Sequence, residues 1–300
     1  MPRLTDKDWE TLVQRIADGR CTPFLGAGAS FGVIPLGSEL ANEWAKSEGF
    51  PLEDSSDLAH VAQYASVIRN DRMALKEEIQ RRFRKLQTPD FNAADEPHAF
   101  LADLPLPIYM TTNYDGYMFE ALKSRNRSPK REICRWNGYL RNSLLSVFDP
   151  AGAFIPSSYE PVVFHLHGHY ETPESLVLTD DDYLDFMIGI SRDQALLPER
   201  IREAFTGTSL LFMGYRLADP DFRMLFRSLV EYLEKSIARG HVSVQLSPSS
   251  EGVDEAKKQK IEDYFDTYFN RLNIRVYWGS CRKFITELKE RWQAFKKNGQ

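Results

Sequence analysis

A succession of short apolar runs, each closing on glycine or a polar cluster, constrains this chain more than any other feature. CTPFLGAGAS (residues 21–30), LPLPIYMTTN (104–113), PVVFHLHG (161–168), TSLLFMGY (208–215), HVSVQLS (241–247) and NIRVYWG (273–279) all read as strands. TSLLFMGY is apolar on both alternating faces, the pattern of a strand buried on both sides of a parallel sheet. Helical periods lie between the runs. Trp9, Leu12, Val13 and Ile16 recur at helical spacing within 5–18, and residues 37–48, 114–124, 219–237, 253–272 and 281–297 also read as helices, with DDDYLDFM (180–187) an acid-capped helix start. Strands alternating with helices in this way predict an α/β fold, a Rossmann-like doubly wound parallel sheet. Residues 55–86, with Leu58, Val61, Ala62, Ala65, Ile68, Leu75, Ile79 and Phe83 in helical register, predict a helical insertion within about residues 50–100. Ile133–Trp136 and ESLVLT (174–179) are further expected strands, and Pro150, Gly152 and Pro156 make 142–160 an expected loop. No linker or repeat divides the 300 residues, so a single domain over 1–300 is expected.

Composition narrows the function classes. Hydrophobic residues make up 42% and charged residues 27%, the balance of a globular chain with a full core. A net charge of −5 disfavours non-specific nucleic-acid binding, which depends on neutralising phosphates with Lys and Arg. The basic stretch KEEIQRRFRK (76–85) also carries two Glu and reads as a solvated helix face. Cys21, Cys134 and Cys281 are widely separated and form no CxxC pair, so a tetrathiolate zinc site is excluded within the chain. No apolar run approaches the roughly 20 residues of a membrane helix, and the polar start MPRLTDKDWE is unlike a secretory signal. A cytoplasmic protein without membrane contact, acting on a soluble ligand, is expected.

Four strand ends carry the residues of chemical interest. Gly26-Ala27-Gly28-Ala29-Ser30 follows the first strand. Its glycines allow close approach of a pyrophosphate, and they equally suit a tight turn with no ligand. It is neither a P-loop nor the usual dinucleotide fingerprint, because GK[ST] and a third glycine are missing. Thr111-Thr112-Asn113-Tyr114-Asp115 ends the second strand, where open α/β sheets bind ligands. Asn113 and Asp115 suit a ribose hydroxyl and a carboxamide; a helix cap by Thr112 or Asn113 is the competing reading. His165-Leu166-His167-Gly168-His169 ends the third. Three histidines would share one face for a metal only if the strand ran on through Gly168, which is not expected, and no metal site is assigned. A histidine at a strand end suits a general base near neutral pH. Met213-Gly214-Tyr215-Arg216-Leu217-Ala218-Asp219-Pro220 ends the fourth, with Arg216 able to meet a phosphate and Asp219-Pro220 able to cap a helix.

GAGAS, TTNYD, HLHG and GYRLADP in this order resemble the sirtuin family, in particular the bacterial sirtuin-like NAD-cleaving effectors of antiphage defence. There the pieces run GAG[AS]S, T[TQ]NYD, [KR]LHG and GYS or GY-x-L-x-DP. The resemblance spans roughly residues 20–225. It implies a single sirtuin-like NAD-binding domain in which Asn113 holds the nicotinamide ribose and the attacking water, Asp115 contacts the nicotinamide amide and His167 is the base. Gly26, Ala27, Gly28 and Ser30 would cradle the pyrophosphate, Gly214 and Tyr215 would line the adenosine half, and Thr112 and Arg216 are counted with the nucleotide contacts. The departures are specific. The four-cysteine zinc module of protein-deacylating sirtuins is missing, and GAGASFGVIPLGSEL stands where they have GAG-x-S-x-x-x-GIPDFR. His165 occupies the usual Lys or Arg position, and its role, like that of His169, is left open.

NAD⁺ glycohydrolysis is the expected activity, through an oxocarbenium-like state from which nicotinamide departs neutral. No metal is required; NAD is the substrate. An NAD-dependent ADP-ribosyltransferase or deacylase and a non-catalytic sensor of an NAD derivative are the alternatives. An unrestrained NAD⁺ hydrolase would kill its host, so gating by a partner or by assembly is expected. The resemblance suggests a homo-oligomer and, as partners, a HerA-type ATPase, a phage protein or a short Argonaute. The insertion and the C-terminal helix are the candidate assembly surfaces.

Overall fold

The computed structural model describes residues 4–35, 37–149, 154–215, 240–246 and 255–298. The apolar runs form β1 (Cys21–Leu25), β2 (Ile108–Thr111), β4 (Val162–His165), β5 (Ser209–Met213), β6 (His241–Gln245) and β7 (Ile274–Trp278), joined at one edge by β3 (Lys130–Ile133). The helices among the described residues are α1 (Asp6–Ala17), α2 (Gly37–Glu48), α3 (Leu58–Arg69), α4 (Arg72–Phe83), α5 (Pro97–Ala102), α6 (Tyr117–Ser124), α7 (Gly138–Ser143), α8 (Asp180–Arg192), α9 (Glu199–Gly207), α10 (Glu255–Asn270) and α11 (Cys281–Asn298). Among the described residues the seven strands are all parallel, in the order β3-β4-β2-β1-β5-β6-β7. The chain builds outward from β1 through β2 to β3 and β4, then returns to the other side of β1 with β5. The strand ends of β1 and β5 therefore flank a topological switch point, where doubly wound sheets bind ligands.

Every residue of β1, β2, β4 and β5 is buried, as expected of central parallel strands covered on both faces. One face packs on Trp9 and Leu12 of α1, Leu101 of α5, Leu122 of α6, and Phe284 and Leu288 of α11. The opposite face packs on Phe186 of α8, Ile201 and Phe205 of α9 and Phe269 of α10. Each such side chain contributes about 1.5–3 kcal/mol by leaving water. A third core joins Trp44 of α2, Val61 and Ala65 of α3 and Leu75 and Ile79 of α4 to Leu176 and Leu178. The helix after β1 thus packs with the 55–86 helices. A buried ion pair, Lys76 Nζ to Asp182 at 2.9 Å, ties α4 to the start of α8. Asp182 also caps α8, accepting the N–H groups of Leu178 and Thr179 at 3.1 Å.

Three expectations change. The strand expected at Ile133–Trp136 lies at Lys130–Ile133, where charged residues are tolerated because an edge strand pairs on one side only. ESLVLT is not a strand. Pro173–Ser175 form a 3₁₀ turn, and Leu176, Val177 and Leu178 are buried without joining the ladder, since they fill the third core and the wall beside the HG turn. Three helices, α5, α7 and α9, stand where none was expected. The helix expected at 219–237 and Arg216 lie outside the described residues. Among the described residues no helix is long and apolar enough to cross a membrane.

Candidate functional site

Two strand-end loops meet at the switch point, and glycine is what lets them. Gly26 N–H donates to Met213 O at 2.8 Å and Gly28 N–H to Gly214 O at 2.9 Å. A Cβ on Gly28 would lie 2.9 Å from Gly214 Cα. Gly214 adopts φ +83°, and a Cβ there would lie 2.3 Å from the Ala29 nitrogen. Gly26, Gly28 and Gly214 are therefore required by one another's backbones, whatever ligand lies above them. Ala27–Ser30 make one 3₁₀ turn, which leaves Ala27 exposed and Ser30 buried. The Tyr215 hydroxyl donates to Leu25 O at 2.9 Å and meets Thr112 Oγ1 at 2.9 Å, binding the ends of β1, β2 and the β5 loop together. Burial raises its phenol pKa.

The β2 end brings the amide and the carboxylate into this junction. Thr112 N–H and Thr111 Oγ1 both donate to Leu25 O, at 3.0 and 3.1 Å, and Thr111 Oγ1 accepts Asn113 N–H at 2.9 Å. The Asn113 side chain donates from Nδ2 to Gly26 O at 3.1 Å and to Ser30 Oγ at 3.3 Å. Ser30 Oγ donates in turn to Asp115 Oδ2 at 3.1 Å. A backbone carbonyl only accepts, so this chain fixes the amide with Nδ2 inward and leaves Oδ1 as an acceptor. Neither Thr112 nor Asn113 caps α6: its N-cap is Gly116, and Asp115 just before it accepts Tyr117 N–H on Oδ1 at 2.9 Å. Burial raises the Asp115 pKa against the opposing pull of His98, Tyr117 N–H, Ser30 and Asn113.

His167 lies two residues beyond the end of the adjacent strand β4. Thr111 and His165 are register partners on β2 and β4, and Leu166 N–H donates to Thr111 O at 2.8 Å. Asn113 and His167 thus lie the same two residues beyond a paired position. The strand stops at His165, and the chain turns through Gly168 at φ +90°; a Cβ there would lie 2.2 Å from Ser175 O. The turn directs the three histidines differently. His167 packs edge-on against Tyr183 and Phe186 of α8, with ring centroids 5.2 and 5.0 Å away, while His165 and His169 lie against each other. Burial pushes the His167 pKa down to about 3, so the imidazole is neutral, and its buried Nε2 has no hydrogen-bond partner among the described residues. Among the described residues no group of three His, Cys, Asp or Glu is disposed to hold a metal ion.

The structure brings Gly26, Gly28, Ser30, Thr112, Asn113, Asp115, Gly214 and Tyr215 into one hydrogen-bonded junction, with His167 at the neighbouring strand end. Sequence reading passed over the pair beneath Asp115. Glu96 Oε1 meets His98 Nδ1 at 2.7 Å, both fully buried, and His98 packs on Tyr117. Glu96 reads as the cap of α5, and a capping residue gives no sign that it also binds a buried imidazole.

A family model described as the SIR2-like domain matches residues 107–277. The chain is similar to the NAD(+) hydrolase ThsA of Enterococcus faecium, 24% identical over 86% of this chain and 50% of that protein. The NAD(+) hydrolase ThsA of Bacillus cereus (strain MSX-D12) is 25% identical over 89% of this chain and 52% of its own. That of Acinetobacter baumannii (strain 532279) is 23% identical over 95% and 56%. The chain spans about half the length of these relatives.

Proposed function

This chain belongs to the SIR2-like domain family, and from that premise we propose that it binds NAD⁺ across the β1, β2 and β4 strand ends and hydrolyses it to nicotinamide and ADP-ribose. The observation that carries the reading is the Asn113–Ser30–Asp115 hydrogen-bond chain at the switch point. It presents Asn113 Oδ1 as a fixed acceptor for a ribose hydroxyl and the attacking water. The relatives named NAD(+) hydrolase support the substrate.

The reaction breaks the bond from ribose C1′ to the cationic nicotinamide nitrogen. The bonding pair goes to nitrogen and nicotinamide leaves neutral, so no strong acid is needed. Water adds to C1′ of the oxocarbenium-like centre and its proton is lost. Asn113 holds the water and the ribose, Asp115 orients the carboxamide, and His167 takes the proton. The imidazole is neutral and needs no prior deprotonation, but burial makes it a weaker base than a histidine near neutral pH, so its share of the rate is smaller than that of positioning. The loops at Gly26–Ser30 and Gly214–Tyr215 flank the pyrophosphate and the adenosine half. Positioning and charge stabilisation carry most of the rate.

An antiphage role with gating by assembly or by a partner protein extends this reading. Val67 and Ile68 of α3 are exposed apolar side chains on the insertion, one of the candidate assembly surfaces. Light scattering of the purified chain tests the gate: a strictly monomeric and fully active protein rejects assembly. The activity itself is tested by chromatography of NAD⁺ incubated with the chain, alone and with the product of a neighbouring gene. Nicotinamide release abolished by Asn113→Ala and by His167→Ala is the expected result. NAD⁺ binding without release under any condition rejects hydrolysis in favour of sensing.

A further inference from the structure

His165 and His169 flank the proposed base yet have no part in the reaction above. Both are buried, at 1% and 0% exposure, and their rings cross edge to face at 4.7 Å. Their partners fix opposite tautomers. His165 Nδ1 lies 3.3 Å from the backbone carbonyl oxygen of Asn113. A carbonyl only accepts, so Nδ1 carries the proton and Nε2 a lone pair. His169 Nδ1 lies 3.3 Å from the backbone nitrogen of Glu171. That amide only donates, so here Nδ1 carries the lone pair and Nε2 the proton.

Three polar atoms of this cluster are buried and have no hydrogen-bond partner among the described residues: His165 Nε2, His169 Nε2 and Arg131 Nε. Arg131 belongs to the same small volume. A Cβ on Gly116 would lie 3.3 Å from His169 Nε2 and 3.5 Å from Arg131 Nη2. The guanidinium is held over the Phe119 ring at 4.8 Å and against Glu171 Oε2 at 2.5 Å. The Glu171 carboxylate stands 3.6 Å from His169 Nδ1, too far for a hydrogen bond. Burial, and then the neighbouring Arg131 cation, push the His165 pKa down to about 3. Burial, His165 and Arg131 lower that of His169 as well. The three unpartnered atoms thus comprise two donors and one acceptor. A water oxygen accepts twice and donates once, which is the matching set.

We propose that His165 and His169 are locked as opposite neutral tautomers around one bound water shared with Arg131, and that this lock makes His165 a positioning residue for Asn113. Its Nδ1–H holds the Asn113 carbonyl and so the setting of the loop from which the Asn113 amide projects. The contact crosses from β4 to the β2 loop beside the HG turn, so it couples the two strand ends that carry the proposed chemistry. The kinetic consequence rests on the hydrolase reading; the tautomers do not.

The test has two arms. The full chain, labelled with ¹⁵N-histidine, gives long-range ¹H–¹⁵N spectra in which its six histidines are assigned by single substitutions. His165 protonated on Nδ1 and His169 on Nε2, both neutral at every pH at which the fold persists, is the expected result. His165 protonated on Nε2, or either ring titrating near its ordinary midpoint, overturns the lock. In the second arm, His165→Asn keeps an N–H near the Nδ1 position and His165→Leu removes it. His165→Leu should lower kcat for nicotinamide release about tenfold or more with KM little changed, and His165→Asn should recover most of it. Equal activity of wild type and His165→Leu overturns the positioning role. Should the Leu variant not fold, His165→Gln, whose amide reaches the Nε2 position instead, takes its place. A wild-type chain that releases no nicotinamide rejects the hydrolase reading and leaves the tautomers to be judged by the spectra.

Discussion

Acidification from pH 7 to 5.5 should destabilise this fold steeply, because three histidines are buried as neutral rings. Burial holds His165 and His167 at pKa values of about 3 and also lowers His169. In the unfolded chain each returns to about 6.5. The folded values are depressed, so the native rings bind no proton in this window while the unfolded ones do. Stability is full above about pH 6.5 and is lost as pH falls toward the folded pKa. Linkage gives about 1.3 kcal/mol lost per histidine between pH 7 and 5.5, and about 4 kcal/mol for the three. Near pH 5.5 the unfolded chain takes up almost three extra protons, a slope of about 3.7 kcal/mol per pH unit. Asp115 and Glu132, both raised by burial, act in the opposite sense as they protonate, so the comparison is made with variants. Urea unfolding, followed through the five tryptophans, gives the free energy at both pH values. Wild type should lose about 4 kcal/mol, and His167→Gln about one third less of its own stability over the same interval. A pH-independent unfolding energy, or an unchanged loss in the variant, would falsify the claim that His167 is a neutral buried base.

Other substitutions test the junction itself. Gly28→Ala forces a Cβ to within 2.9 Å of Gly214 Cα and should cost about 1–3 kcal/mol. Gly214→Ala adds an unfavourable φ of +83° to its own close contact, so calorimetry should rank it as the more destabilised of the two; the reverse order refutes the packing. Ser30→Ala removes the bridge between Asn113 and Asp115 and should cost about 1–3 kcal/mol, with a fall in kcat for nicotinamide release; unchanged kcat shows that the bridge does not set the amide. Lys76→Met leaves Asp182 without its buried cation and should cost about 3–5 kcal/mol in chemical denaturation. The double variant with Asp182→Asn, which removes the charge and keeps an acceptor for Leu178 and Thr179 N–H, should be no worse than the single one, and strict additivity refutes the coupling.

The central sheet was legible because its strands are apolar runs with nowhere to go but inside. The edge strand was not: Lys130–Ile133 is charged, and only its position at the sheet edge makes that acceptable. Leu176–Leu178 misled in the opposite way, since an apolar run signals burial and not pairing. The strand-end motifs were readable as chemistry only through their order along the chain. What holds them was not readable at all. Gly26, Gly28 and Gly214 look like turn glycines, yet the backbone they admit is each other's. Ser30 and Asp115 meet across 85 residues, and His165 and the Asn113 carbonyl across 52. Such pairs follow from strand order, which no local pattern encodes.

The most direct measurement is a ¹H NMR time course of NAD⁺ with the purified chain and its neighbouring gene product, repeated with Asn113→Ala and His167→Ala. Hydrolysis at these strand ends predicts nicotinamide and free ADP-ribose rising one to one in the wild type and neither rising in the variants. Nicotinamide without matching free ADP-ribose, or release that survives both substitutions, would contradict it.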